Sequence, residues 1–143
     1  MKRHVSAAVI ALVAALAVTA AAVAAVAPGT YKGHLYTGAT KVTTSPATVA
    51  VAGTKVTIQV AKFPIKCQGP SGKFDQPSAP MKYEFKGTLK GNVVSGQYVN
   101  PLGGTGEYFT AKLTYAAATK SFTGKIGFVG RCQGASTLKA KKA

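Results

Sequence analysis

The chain has 143 residues, with 18 Lys and Arg against three Asp and Glu, for a formal charge of +15. That length suits one small domain, and that imbalance gives it a long-range attraction for polyanions. Three carboxylates, two histidines, two cysteines and no Trp argue against acid–base catalysis, a closed zinc site and a tryptophan sugar platform.

The first stretch reads as an export signal. Met1-Lys2-Arg3-His4 is a short basic segment, and Val5 to Val26 is apolar apart from Ser6 and Thr19. Small residues then offer A-x-A cleavage sites, and cleavage is expected after Ala24. The alternative is an uncleaved anchor, because the run is long enough to span a bilayer. Either way the basic end stays inside and the rest faces outward. The expected organisation is a signal peptide at 1–24, an all-β domain at 25–138 and a basic tail at 139–143.

Beyond the signal the pattern is strand after strand. Thr30 to Thr37 alternates, with Tyr31, Gly33 and Leu35 on one side. Ala47 to Ala52 and Lys55 to Val60 flank Gly53-Thr54, a two-residue hairpin turn of the glycine-first type. The alternation then slips near Ala61-Lys62, and Pro64 cannot donate to a ladder, which predicts a bulge or an edge. Residues 68–80 hold Gly69, Pro70, Gly72, Pro77 and Pro80 and read as a long irregular loop. Met81 to Leu89, Val93 to Val99, Glu107 to Tyr115, Ser121 to Val129 and Cys132 to about Leu138 complete the strands. A glycine-rich loop, Asn100 to Gly106, lies among them. About eight short strands predict an all-β fold, an antiparallel β-sandwich or a small flattened barrel. A phrase of aromatic, x, Gly, x, aliphatic recurs at Tyr31–Leu35, Phe85–Leu89 and Phe122–Ile126. An inward glycine there lets an aromatic ring lie over it or lets the strand coil sharply.

Cys67 and Cys132 sit in matching phrases, Phe-Pro-Ile-Lys-Cys-Gln-Gly and Phe-Val-Gly-Arg-Cys-Gln-Gly. They are 65 positions apart, so neither a CxxC redox pair nor a local metal knuckle forms. In an exported chain a structural disulfide is the expectation.

The exported N-terminus, Gly29-Thr-Tyr-Lys-Gly33, a Lys-Val-Thr-Ile strand leading to Cys67, the Phe-x-Gly strands and a late second Cys together resemble a group of small secreted β proteins of unknown function. That group belongs to GC-rich, actinobacteria-like bacteria. The resemblance implies a fold and an export route, not an activity.

Candidate chemistry is sparse. Glu84 reads as a solvated partner for lysine, and His34 as an exposed strand residue. Asp75 and Glu107, at loop edges, are the carboxylates a hydrolase would need. No serine lies in a GxSxG elbow. Gly103 to Gly106 lacks the Gly-Lys-Ser/Thr and helix of a phosphate loop. Tyr36 and Tyr108 could stack on a sugar in part. The remaining signal is Lys/Thr stripes on the outward strand faces. They predict an exported, non-enzymatic protein, secreted or envelope-associated, that binds anionic envelope or extracellular polymers through Lys55, Lys82, Lys86, Lys112, Lys125 and Arg131. No cofactor, no metal, no specific nucleic acid and no membrane span after signal cleavage are expected, and the oligomeric state is left open. The alternative is a small barrel carrying an apolar ligand among Tyr83, Phe85, Phe109, Tyr115 and Phe122.

Overall fold

Period-two alternation runs through almost every segment from Gly29 onward, and each such segment forms a strand. The computed structural model describes residues 25–143, so the expected signal helix at 1–24 lies outside the described residues. The strands are β1 (Gly29–Thr37), β2 (Thr40–Ala52), β3 (Lys55–Phe63), β4 (Lys66–Gln68), β5 (Phe74–Pro77), β6 (Met81–Lys90), β7 (Val93–Val99), β8 (Tyr108–Ala116), β9 (Ser121–Val129) and β10 (Cys132–Lys142). Eight of them, in the order β1-β2-β3-β6-β7-β8-β9-β10, close into an antiparallel barrel because β10 also pairs β1. The barrel, not the sandwich, is the architecture. Two extra strands, β4 and β5, make a short hairpin hung on the start of β10.

Two expectations are corrected. Residues 68–80 are not wholly irregular, because Phe74–Pro77 pairs with Lys66–Gln68. Residues 139–143 are not a free basic tail, because β10 runs on to Lys142 and pairs with β1 from Tyr36↔Thr137 to Tyr31↔Lys142. Leu138 and Ala140 point inward there while Lys139 and Lys141 stay exposed. The alternation therefore carries the strand through a lysine-rich segment.

The inward residues fill the barrel. At one end Tyr31, Tyr115 and Phe122 meet edge to face or tilted, with centroids 4.9 to 5.9 Å apart. At the other, Phe63, Tyr83, Phe109 and Phe128 form a chain of rings 4.9 to 5.4 Å apart. Val49, Ile58, Leu113, Ile126 and Leu138 are buried in the same core. An eight-stranded barrel is just wide enough for side chains to fill. With apolar residues inside and Lys and Thr outside, the pattern is the reverse of a transmembrane barrel. Among the described residues, no helix is long and apolar enough to cross a membrane.

The bulge expected near Ala61-Lys62 is present, since Val60 pairs Tyr83 and Phe63 pairs Met81. A second lies in β2, between Val42 and Pro46. The buried Ser45 between them donates its hydroxyl to the Lys62 carbonyl at 2.6 Å, which ties the two bulges together. Such bulges bend strands enough to close a barrel.

The three recurring glycines divide by role. A Cβ on Gly33 would strike the Lys139 carbonyl oxygen of the paired strand, and one on Gly124 would strike that of Lys112. At Gly87 the obstacle is instead the ring of Phe85, 2.6 Å from where a Cβ would stand. The ring foreseen over an inward glycine is present at Gly87, whereas Gly33 and Gly124 instead admit a close approach of the paired backbone.

Cys67 and Cys132 are directly opposite across β4 and β10 and form a disulfide. The bond fits an oxidising compartment outside the cytoplasm.

Two outcomes are expected. Gly33→Ala lowers stability by about 3 kcal/mol or more, because backbone rather than a flexible side chain blocks the methyl; urea denaturation measures it. Reducing the disulfide lowers stability by about 4 kcal/mol on the chain-entropy account, with the β signal in circular dichroism retained below the transition; denaturation with and without reductant measures that.

Candidate functional site

The register assembles the outer wall into rows. Crossing β7, β8 and β9, the first row is Val99, Tyr108 and Val129. The second is Gln97, Thr110, Gly127 and Ala135, reaching β10. The third is Ser95, Lys112, Lys125, Thr137 and Tyr36, reaching β1. The fourth holds Thr114, Thr123, Lys139 and His34, and the fifth Ala116, Ser121, Lys141 and Lys32. The wall thus grades from apolar, through small and neutral, to cationic.

Lysine faces lysine twice on it. Lys112 lies opposite Lys125 and Lys141 opposite Lys32. Like charges directly opposite on a sheet are destabilising. The four adjacent strands β8, β9, β10 and β1 contain no carboxylate at all. Local partners are weak substitutes: Lys125 donates to the Thr137 hydroxyl at 2.9 Å, and the Lys139 ammonium sits 4.6 Å from the centre of the half-buried Tyr36 ring. Such contacts position the ammonium groups without neutralising them.

The β3–β6 face differs. Lys55 and Lys86 face Thr88 and Thr57 across the strand pair. Glu84 accepts from Gln59 at 3.1 Å and pairs with Lys86 at 3.2 Å. These contacts, Gln59 first, hold its carboxyl below the usual range, and the Glu84 hydrogen bond raises Lys86. Glu84 is thus a lysine partner as expected, although the lysine is on its own strand. The six expected binding residues therefore do not share one surface. Lys55, Lys82 and Lys86 lie on the compensated β3–β6 face, Lys112 and Lys125 lie on the uncompensated wall, and Arg131 sits exposed at the β9–β10 turn beside the disulfide.

Two open depressions mark that wall. The larger, about 860 Å³, lies against β8, β9 and β10 on one side and the hairpin segment Pro64, Ile65, Lys66 and Phe74 on the other. The smaller, about 310 Å³, is bordered by Lys32, His34, Tyr36, Lys139 and Lys141. Neither Asp75 nor Glu107 lines either one. Asp75 receives Ser71 and Gln76 on the exposed hairpin, while Glu107 receives Asn100 Nδ2 at 3.4 Å and the Gly104 amide at 3.3 Å and so braces the glycine-rich loop. Among the described residues no cluster of His, Cys, Asp or Glu could hold a metal.

Lys32 was not singled out by the sequence, and Lys139 and Lys141 were read only as part of a basic tail, although the alternation Leu138-Lys139-Ala140-Lys141 carried the strand signal. Ile65, Phe74, Gly127, Ala135 and Ser136 gave none, since their juxtaposition depends on how β4 and β5 hang on β10. No family model, no curated protein and no solved structure matches this chain.

Beneath the larger depression the core holds the wall by a hydrogen bond. The fully buried Tyr83 hydroxyl donates to the Thr110 carbonyl at 2.7 Å. Burial pushes the Tyr83 hydroxyl far above its ordinary range. Burial, aided by Tyr115, pushes Tyr31 up to about 12. In the unfolded chain both ionise near pH 10. Their contribution is therefore full below about pH 10 and is lost as pH rises beyond it. Melting temperature is expected to fall above about pH 10. Tyr83→Phe is expected to lose about 1 kcal/mol at neutral pH and to show a shallower alkaline decline, as thermal melts across pH would show.

Proposed function

We propose that this protein works outside the cytoplasm as a non-enzymatic barrel that docks on anionic envelope or extracellular polymers through the outer wall of β8, β9, β10 and β1. The observation that carries this reading is the opposition of lysine to lysine on four strands without a carboxylate. A wall that only had to be soluble would gain from interspersed acids, as the β3–β6 face gains from Glu84. An anionic chain laid along the wall would supply the missing counter-charge at several points. The disulfide supports the extracytoplasmic setting. The alternative, an apolar ligand carried inside the barrel, is less favoured. Tyr83, Phe85, Phe109, Tyr115 and Phe122 are all buried and belong to the filled core.

Sedimentation of the oxidised protein with isolated envelopes across a salt series tests the reading. Binding is expected to fall steeply as salt rises. At about 1 kcal/mol per lysine near an anionic surface, Lys112→Ala/Lys125→Ala is expected to weaken it roughly 30-fold. Lys82→Ala/Lys86→Ala, on the face that carries Glu84, is expected to cost much less. Binding that ignores salt, or no binding at any salt, would sink the proposal.

A further inference from the structure

The larger depression has a chemical direction that polymer docking does not require. Its floor is low because its middle row is small. Gly127 and Ala135 lie side by side there. A Cβ on Gly127 would come within 2.8 Å of Thr110 Oγ1 and 3.1 Å of the Gly134 carbonyl oxygen. Opposite stand Ile65 and Phe74, both half-buried, with Lys66 beside them. One end opens on Val129, 44% exposed and adjoining Tyr108 and the 61% exposed Val99. The other end stops at Lys112 and Lys125. The volume of about 860 Å³ falls within the range of roughly 300–1,000 Å³ for ligand sites.

We infer that this groove holds a single-chain anionic amphiphile, a long-chain carboxylate or alkyl phosphate. Its head lies at Lys112 and Lys125, and its chain runs over Gly127 and Ala135, past Ile65 and Phe74, toward Val129. Charge complementarity selects the head, since the groove's cations are Lys66, Lys112 and Lys125 and neither neighbouring carboxylate lines it. A polymer needs only the lysine rows, whereas the apolar slot beyond them accounts for a tail. The inference deepens the docking proposal and shares two of its lysines, but it makes a separate demand on the hairpin side.

Titration calorimetry with dodecyl phosphate below its micelle concentration tests it, with dodecanoate as the second head. Dodecyl maltoside supplies the chain without the charge, and inorganic phosphate supplies the charge without the chain. Saturable binding of one dodecyl phosphate per protein is expected, with both controls weaker by at least about tenfold. Ala135→Leu, at an exposed position, is expected to fill the floor and weaken binding at least about tenfold; Phe74→Ala and Lys112→Ala/Lys125→Ala are expected to do the same. Lys32→Ala/Lys141→Ala is expected to reduce envelope binding and leave dodecyl phosphate binding unchanged. Binding insensitive to Ala135→Leu and Phe74→Ala, or binding only to anionic vesicles, would overturn the inference. Salt-sensitive envelope binding without amphiphile binding would also overturn it while leaving the docking proposal in place. Amphiphile binding without envelope binding would do the opposite.

Discussion

The rest of the structure depends on the pairing of β1 with β10. The other barrel strands pair with a neighbour that follows closely in sequence, or, between β3 and β6, with one that follows a short hairpin. Within the barrel, the seam from Tyr31↔Lys142 to Tyr36↔Thr137 joins the first strand to the last. A meander without that seam would be an open sheet with two exposed edges. The seam removes both and encloses the aromatic groups at the two ends. It also requires close approach, which is why Gly33 faces the β10 backbone without a side chain. The loop-closure entropy of bringing such distant segments together opposes the seam, and the core it seals provides the return.

Closure also sets the electrostatics. Lys32, Lys139 and Lys141 meet only because β10 lies beside β1, and Lys112 and Lys125 continue the same wall on β8 and β9. The barrel order places Lys55, Lys82 and Lys86 elsewhere, with Glu84 among them. Two faces with similar Lys/Thr composition therefore differ in kind. One is internally compensated, and the other has its charges aligned against each other. Net charge alone hides that difference, because it sums over directions that a ligand meets separately.

Much of the fold was legible because period-two alternation is a strong signal when inward residues are large. The β2–β3 hairpin followed from apolar alternation on both sides of Gly53, whose φ of 62° is the conformation its turn demands. Where inward residues are small or few, the signal faded. Ala140 is a weak marker among lysines, so the end of β10 read as a tail. Phe74–Pro77 is too short and too rich in turn-forming neighbours to announce itself, and it exists as a strand through its pairing with β4. The candidate site was legible residue by residue but not as a surface. Alternation says which side chains face out, while only register says which of them meet.

The hairpin gives the groove walls of unequal permanence. One wall is barrel, held by continuous ladders on both sides. The other is β4 and β5, joined to β10 by the positions Cys132↔Cys67 and Gln133↔Lys66, a 3.3 Å bond from the Gln68 amide to the Arg131 carbonyl, and the disulfide. Cutting the covalent link would remove one of these few ties and leave the barrel ladders intact. The shape of the groove, unlike the charge of the wall, therefore leans on a single covalent cross-link.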